Sequence, residues 1–282
     1  MEPHEVRQRI ARRILGLPES GRSQALGLYQ SLVLKRRDSL GPPPLDPVAM
    51  ARQVGFDLDP WQSRVLTSDA SRILLNCSRQ SGKSTVTALL AVHTAHYQPD
   101  SLVLLLSPSL RQSQELFKKA LEVHRALPHP VATEAESALR LELANGSRIL
   151  SLPGKEHTVR GFSGVRLLAV DEAARVEDEL YLSVRPMLAV SGGRLIGLST
   201  PFGTRGWWYQ AWRSDETWER FAIPAQECPR IDAGFLAEER RTMGDWWFAQ
   251  EYECRFLDGE TQPFGREDIE QAFAEGVEAW DL

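Results

Sequence analysis

The chain has 282 residues, 42% of them hydrophobic and 25% charged, which is ordinary globular usage and enough for one large domain with a small appendage. Its three cysteines, Cys77, Cys228 and Cys254, are widely spaced, which argues against a disulfide framework or a zinc site and favours a reducing compartment. No apolar run reaches the roughly 20 residues of a membrane helix, and a net charge of −5 gives no support by itself to a nucleic-acid partner.

The two ends of the chain differ in charge from the rest. Residues 1–40 carry eight Lys or Arg against four Asp or Glu, whereas residues 258–282 carry eight acidic residues and only Arg266 as a base. We interpret both stretches as solvated helix surface, with a DNA contact as the alternative. Residues 1–44 are predicted to be an N-terminal helical segment that ends in the linker Gly41–Pro44.

From residue 45 onward the hydrophobic pattern predicts helices and strands that alternate along the chain. The predicted helices are Leu45–Phe56, a segment that starts at Asp59-Pro60, Ser84–Tyr97 and about Gln112–Ala126. The predicted buried strands are Ile73–Leu75, Leu102–Leu106, Leu167–Val170 and Leu195–Leu198, and Asn145-Gly146 predicts a hairpin between Leu139–Leu143 and Arg148–Leu152. This alternation predicts an α/β fold with a mostly parallel sheet flanked by helices.

The segment from Cys77 to Thr85 lies between a predicted strand and a predicted helix, which is the position of a phosphate-binding P-loop. In such a loop the backbone N–H groups surround a phosphate, and the helix N-terminus adds its positive dipole. Gly82 allows close approach of the backbone, Lys83 reaches the β- and γ-phosphates, and the Ser84 hydroxyl binds Mg²⁺. Cys77 replaces the first glycine of the usual GxxxxGK[ST] pattern, so an ordinary turn is the alternative. The other predicted ATP-binding residues of the loop are Ser78, Arg79, Gln80, Ser81 and Thr85.

A second motif follows about 90 residues later, where the predicted strand Leu167–Val170 ends in Asp171 and Glu172. As in a Walker B motif, Asp171 would hold Mg²⁺ through water, and Glu172 would orient and deprotonate the attacking water. A strand that runs into an acidic surface loop is the alternative. Together with the loop, the pair predicts an enzyme that hydrolyses ATP.

Six segments resemble, in the same order, motifs of the large terminase subunits of tailed bacteriophages. They cover most of the chain, from about Asp46 to Phe264. The segments are the adenine motif Asp59–Gln62, the variant Walker A Ser78–Thr85 with Arg and Gln ahead of Gly-Lys, the motif Leu104–Ser113 after the second strand, the arginine-finger stretch Thr158–Phe162, the coupling motif Leu198–Pro201 and the lid segment Gln250–Tyr252. The resemblance implies an α/β P-loop NTPase fold of the ASCE/RecA-like type with a small C-terminal helical lid subdomain.

The resemblance also implies roles for single residues ahead of the coupling motif. Gln62 would pair with adenine, since a side-chain amide offers one donor and one acceptor; a surface glutamine is the alternative. Arg160 would complete the site of a neighbouring subunit as a trans-acting finger, and Arg79 would sense the nucleotide in cis. The rivals of Arg160 for the finger are Arg140, Arg148 and Arg166.

Two hydroxyl residues, Ser199 and Thr200, stand at the coupling motif, where they would bond the catalytic carboxylate and report hydrolysis. A strand that simply ends at Pro201 is the alternative.

The resemblance also divides the chain into an ATPase core over residues 45–204, a lid over 205–258 and an acidic linker over 259–282. We expect the tryptophans between Arg205 and Phe256 to build the lid's own core, with base stacking on single-stranded DNA as the alternative.

The motifs predict ATP hydrolysis with ATP and Mg²⁺ as ligands, and the resemblance implies that hydrolysis drives double-stranded DNA into a viral procapsid. Family members suggest a portal, a small terminase subunit and a pentameric ring as partners, and a monomer in isolation is the alternative. They act in the host cytoplasm and usually continue into a nuclease domain. No two-metal acidic constellation on strands can be assembled from Glu267, Asp268, Glu270 and their helical neighbours, so we expect no nuclease activity. The alternative functions are a helicase-like ATPase and a nucleotide-binding assembly module.

Overall fold

The computed structural model describes residues 45–154 and 161–257, together with residues 21, 22 and 25. Its helices are α1 Pro47–Gln53, α2 Pro60–Thr67, α3 Lys83–Tyr97, α4 Leu110–Ala126, α5 Asp178–Val184, α6 Gly206–Arg213 and α7 Ala233–Glu251, and the short 3-10 helices are Ala173–Arg175, Arg185–Leu188 and Ala225–Glu227. The strands are β1 Arg72–Cys77, β2 Leu102–Ser107, β3 Thr133–Glu136, β4 Arg140–Leu143, β5 Arg148–Pro153, β6 Val165–Asp171, β7 Arg194–Ser199 and β8 Glu219–Ile223. Most of the N-terminal segment 1–44 and the acidic segment 259–282 lie outside the described residues.

The eight strands form one sheet in the order β3-β4-β5-β2-β6-β7-β1-β8. In this order every neighbouring pair from β5 to β8 is parallel. At the other edge, β4 pairs antiparallel with both β3 and β5. This topology confirms the predicted α/β fold with a mostly parallel sheet. The carboxyl ends of β1, β6 and β7 lie side by side, so the residues that follow these strands meet at one edge of the sheet.

Both faces of the sheet are covered, which explains why the central strands are continuously apolar. On one face α3 and α4 pack on the sheet through a large hydrophobic core that includes Leu75, Leu89 and Phe117. On the other face α5 and α6 pack through a second core that includes Leu104 and Trp208. No helix in the described ranges is long and apolar enough to cross a lipid bilayer.

The predicted hairpin at Asn145-Gly146 is confirmed, since β4 and β5 pair antiparallel with Leu141 opposite Ile149. Gly146 has φ +82°, and a β-carbon there would lie 2.2 Å from a carboxylate oxygen of Asp100, so the turn requires glycine. Strand β3 was not predicted, because its residues are mostly exposed and polar and carry no apolar alternation.

The tryptophan-rich segment differs from the prediction. The second core of the sheet, on the face covered by α5 and α6, contains Trp207, Trp208 and Trp218. The expectation that these three residues build a separate lid core is therefore wrong. The reason is β8, which pairs parallel with β1 and holds α6 against the sheet. A boundary between core and lid at residue 205 therefore cuts through the sheet. A separate small cluster does pack around α7, formed by Ala225, Leu236, Phe248 and Tyr252.

Candidate nucleotide-binding site

The predicted P-loop joins the end of β1 to the start of α3. Gly82 stands just ahead of α3 with φ +94°, and a β-carbon there would lie 2.8 Å from Nε2 of Gln62. The left-handed backbone therefore requires glycine at this position, whereas the Gln62 amide is the end of a flexible side chain that can move aside. The helix begins at Lys83, so its first free N–H groups and its positive dipole face the loop.

Backbone hydrogen bonds tie the loop to the C-terminal part of the chain. The N–H of Ser78 donates to the carbonyl of Ile223 at 2.9 Å, and the N–H of Arg79 donates to the carbonyl of Glu251 at 3.1 Å. Inside the loop, the Ser81 hydroxyl donates to the carbonyl of Ser78 at 3.0 Å. Strand β8 and the end of α7 thus hold the loop in place.

The unusual residue at the first position of the loop has a structural explanation. Cys77 is the last residue of β1 and is fully buried in the core between the sheet and α3. Burial, with the nearby Cys254, raises the pKa of its thiol far above the usual range. A neutral side chain that packs into the core leaves the phosphate-facing part of the loop free, so glycine is not needed there.

Asp171 is the last residue of β6 and Glu172 follows it, so the predicted Walker B pair lies at the same edge of the sheet. Asp171 is buried, and its Oδ1 accepts a hydrogen bond from the N–H of Glu172 at 3.0 Å. Burial first, and then the Glu172 charge, raise the pKa of Asp171 from 3.8 to about 6, although Lys83 partly offsets them. Glu172 has φ +48°, a rare backbone for a residue other than glycine, and it turns the carboxylate toward Lys83. Nζ of Lys83 lies 3.8 Å from Oε1 of Glu172.

Lys83 and Glu172 line one cavity of about 500 Å³. Its walls come from the P-loop, from α4, and from the segments that follow β6 and β7. The lining residues are Arg79, Gln80, Gly82, Lys83, Ser84, Thr85, Gln112, Lys119, Glu172, Arg175 and Thr200. The polar and cationic lining suits a polyphosphate, which is what the loop motif predicts.

A smaller cavity of about 160 Å³ adjoins the first one, since Ser84, Gln112, Lys119 and Glu172 line both. Asp171 opens into this smaller cavity together with Ser84. A hydroxyl and a carboxylate are oxygen ligands of the kind that Mg²⁺ prefers, so the two residues fit the predicted ion. No group of three or more His, Cys, Asp or Glu side chains suited to a metal occurs in the described ranges, and Mg²⁺ beside phosphates needs only one or two protein ligands.

Of the two predicted coupling residues, Ser199 is the last residue of β7, next to β6, and Thr200 follows it. Oγ of Ser199 accepts a hydrogen bond from the N–H of Ala174 at 3.2 Å, which fixes the turn after Glu172. Thr200 lines the large cavity, and its Oγ1 lies 3.5 Å from Nη1 of Arg175. Both residues are therefore brought to the acidic pair, although neither hydroxyl bonds Glu172 directly.

The predicted adenine residue, Gln62, is buried in α2 beside the P-loop. Its Oε1 accepts a hydrogen bond from the N–H of Asp59 at 2.9 Å, so that part of the amide already caps the helix. Its Nε2 points toward Gly82. The structure thus places Gln62 next to the loop, and its contact with adenine remains a prediction.

The predicted trans-acting finger, Arg160, lies outside the described residues. Each of its three rivals has a place in the sheet. Arg166 donates to Oε1 of Gln98 and to the carbonyl of Ser191, at the end of β6 opposite Asp171. Arg140 forms an ion pair within β4, and Arg148 begins β5.

Three functional candidates were missed from the sequence. Arg175 forms an ion pair with Glu172 at 2.9 Å. Glu251, which was noted only as part of the lid segment, pairs with Arg79 at 2.7 Å. Arg230 donates both Nη groups to the carboxylate of buried Asp59, at 2.8 and 2.7 Å, and Nη2 also reaches the carbonyl of Ser81 at 3.1 Å.

Of these three residues, only Arg175 lies close in the sequence to a predicted site residue, because it stands three residues after Glu172. The other contacts join residues about 170 positions apart. No local pattern indicates them, because the C-terminal part reaches the loop only in the folded chain, through the pairing of β8 with β1 and the hydrogen bonds from Ser78 and Arg79.

Comparison with known sequences identifies relatives of one kind. The family model described as terminase large subunit, T4likevirus-type, N-terminal, matches residues 74–271, which is more than half of the chain. The chain is 30% identical over 206 residues to the terminase large subunit of Escherichia phage T5, a match that covers 66% of this chain and 44% of that protein. It is 25% identical over 253 residues to the terminase large subunit of Thermus virus P23-45, covering 77% of this chain and 52% of the relative. The chain thus spans about half the length of the relatives it matches.

Solved structures agree with the fold. The large terminase ATPase domain of Thermus phage P74-26 superposes with a TM-score of 0.65 at 23% identity, over 77% of this chain and 100% of that one. The large terminase of another thermophilic bacteriophage, solved in complex with ADP, superposes with a TM-score of 0.60 at 12% identity, over 71% of this chain and 54% of that one. At such identities the likeness establishes the fold alone. The family match contains the P-loop, both Walker B carboxylates and the residues around them, and the chain belongs to the terminase large-subunit family.

Proposed function

We propose that the chain hydrolyses ATP in the cavity between the P-loop and the Walker B strand. The observation that carries the proposal is the approach of Nζ of Lys83 to Oε1 of Glu172, at 3.8 Å, in the lining of one polar cavity. A phosphate-binding lysine and a carboxylate able to deprotonate water thereby lie next to each other at the same space. That arrangement supports phosphoryl transfer to water.

Each residue has a role that its position supports. Lys83 and the loop amides bind the phosphates, as the helix N-terminus and the left-handed Gly82 favour. Ser84 and Asp171 would hold Mg²⁺, which when bound neutralises charge on the phosphate oxygens. Glu172 orients the attacking water and accepts its proton, and its backbone geometry aims the carboxylate into the cavity.

The work done with that hydrolysis is, in our proposal, translocation of double-stranded DNA into a procapsid. Membership of the terminase large-subunit family supports this assignment. A portal, a small terminase subunit and a ring of identical subunits, five in number, are the partners that we propose on the same ground. Ser199 and Thr200 would couple hydrolysis to movement, and Arg79 would sense the nucleotide, because all three lie at or beside the cavity.

An ATPase assay on three proteins tests the enzymatic part. Wild type, Lys83→Ala and Glu172→Ala are compared with Mg²⁺ and double-stranded DNA at high protein concentration, which favours assembly. We expect both variants to lose at least about 100-fold in turnover, since each removes a group that acts on the transferring phosphoryl or on the water. Wild-type turnover no faster than that of Glu172→Ala would overturn the proposal.

A mixing experiment tests the assembly part. Subunits carrying Arg160→Ala keep an intact P-loop, whereas subunits carrying Lys83→Ala keep a finger. If Arg160 acts on a neighbour, mixing the two inactive variants restores part of the activity, because some sites combine a good loop with a good finger. Mixtures that stay as inactive as their components would contradict a trans role for Arg160.

A further inference from the structure

Arg175 holds a fixed position at the edge of the cavity. It closes the 3-10 helix Ala173–Arg175, whose backbone is secured from two sides. The N–H of Arg175 donates to the carbonyl of Glu172 at 2.8 Å, and the N–H of Ala174 donates to Oγ of Ser199 at 3.2 Å. Its guanidinium therefore extends from a rigid base directly after the Walker B carboxylates.

The guanidinium joins three parts of the site. Its Nη1 donates to Oε2 of Glu172 at 2.9 Å and lies 3.5 Å from Oγ1 of Thr200. Its Nη2 lies 3.8 Å from Oε1 of Glu251 at the end of α7. The group also lies over the ring of Phe202, 4.6 Å from the ring centre, which restricts its rotamers. One side chain thus contacts the Walker B turn, the coupling segment and the lid helix.

The ion pairs around Arg175 form a row of alternating charges. Glu251 is only 7% exposed and needs cationic partners, which are Arg79 at 2.7 Å and Arg175 at 3.8 Å. Glu172 follows Arg175 in the row, and its second oxygen faces Lys83. The two oxygens of Glu172 are therefore held by two different cations, one from the P-loop and one linked to the lid helix.

We propose that Arg175 is a positioning residue that aims Glu172 at the attacking water and links it to helix α7 through Glu251. The inference rests on the proposed ATP hydrolysis. A γ-phosphate in the cavity attracts Lys83, and Arg175 is then the cation that keeps the carboxylate of Glu172 oriented. A movement of α7 carries Glu251 with it and changes the pull on Arg175, so the position of the helix and the rate of hydrolysis depend on each other.

Steady-state turnover and nucleotide affinity, measured separately, test the positioning role. For Arg175→Gln we expect kcat to fall about 10- to 100-fold, because a misplaced general base is costly, while the Kd for ATPγS changes less than about threefold. Arg175→Lys keeps the charge but not the two-pronged geometry, so it should recover part of the loss. Arg185→Gln is the matched control: Arg185 also lies over an aromatic ring, that of Tyr181, but outside the large cavity, and both parameters should stay at the wild-type values.

The outcomes separate this inference from the proposed function. Wild-type protein without hydrolysis would defeat the ATPase proposal itself. With an active wild type, a kcat of Arg175→Gln near the wild-type value would overturn the positioning role. A rise of tenfold or more in the Kd for ATPγS would also overturn it, because Arg175 would then be a phosphate ligand. Should Arg175→Gln fail to fold, Arg175→Lys carries the same comparison, since it keeps the cation that Glu251 needs.

The link to α7 has its own test in a double-mutant cycle with Glu251→Gln. If Arg175 acts between Glu251 and Glu172, the double variant Arg175→Gln/Glu251→Gln should be no slower than the slower single variant. Effects on kcat that multiply would show two independent groups and would contradict the link. Melting temperatures of all variants, taken alongside, show whether a loss of kcat follows a loss of folded protein.

Discussion

Asp171→Asn should stabilise the folded protein while it removes the carboxylate proposed to hold Mg²⁺. The pKa of Asp171 is raised from 3.8 to about 6, mainly because the carboxylate is buried. Since one pH unit of difference between folded and unfolded pKa corresponds to about 1.4 kcal/mol, ionised Asp171 lowers the free energy of unfolding by about 3 kcal/mol above pH 7. Asparagine has the same shape, carries no charge, and keeps an oxygen for the N–H of Glu172.

The sign of the pH dependence follows from the direction of the shift. The folded chain binds the proton of Asp171 more tightly than the unfolded chain does, so wild type loses stability as the pH rises from about 4 to about 6. Asp171→Asn lacks this loss. Its advantage over wild type should therefore be roughly 1 kcal/mol larger at pH 8 than at pH 5.

Urea denaturation at pH 5 and pH 8, with EDTA and without nucleotide, measures the difference. Asp57→Asn is a suitable control, because Asp57 is exposed and its replacement should give no comparable gain. An Asp171→Asn protein that is less stable than wild type at pH 8, or whose advantage is the same at both pH values, would refute the assignment of Asp171 as a desolvated carboxylate.

Three further substitutions test the geometry of the loop and the core. Gly82→Ala should abolish nucleotide binding in a calorimetric titration and cost about 1–3 kcal/mol, because φ +94° is strained for a residue with a β-carbon. Arg230→Ala should lower the free energy of unfolding, measured in urea, by about 1–2 kcal/mol, because buried Asp59 loses its partner. The value is modest because Arg230 is 49% exposed. An unchanged urea midpoint would contradict the pairing. Gly197→Ala should lower the melting temperature, at a cost of about 1–3 kcal/mol, since its β-carbon would lie 2.6 Å from the Trp208 ring. Adding Trp208→Phe should recover part of that loss.

Much of the fold was predictable because its strands carry strong local signals. The continuous apolar runs of β2 and β6 and the Asn145-Gly146 turn specify buried strands and a hairpin without knowledge of the rest. Strand β8 carries a weaker signal, since it has only five residues, Glu219–Ile223, and lies within a charged, tryptophan-rich stretch. Its place in the sheet depends on pairing with β1, far away in the sequence, and the packing of Trp207 and Trp208 follows from that pairing.

The candidate site likewise contains residues that the sequence predicts and contacts that only the folded structure reveals. Lys83 and the pair Asp171-Glu172 belong to short motifs that, together with the predicted strands and helix around them, predict their chemistry. The pairing of Arg79 with Glu251 is a tertiary contact that the family pattern indicated only as a lid segment of unknown geometry. The tolerance of cysteine at position 77 also depended on the structure, because only the packing of β1 shows that this side chain faces the core.

The identity of the bound nucleotide tests the central claim most directly. Wild type and Glu172→Gln are incubated with ATP, Mg²⁺ and double-stranded DNA at high protein concentration, separated from free nucleotide, and denatured to release what they hold. If Lys83 and the loop bind ATP and Glu172 activates the attacking water, Glu172→Gln should retain ATP and wild type should retain ADP. ADP in equal amounts on both proteins, or no nucleotide on either, would contradict the account.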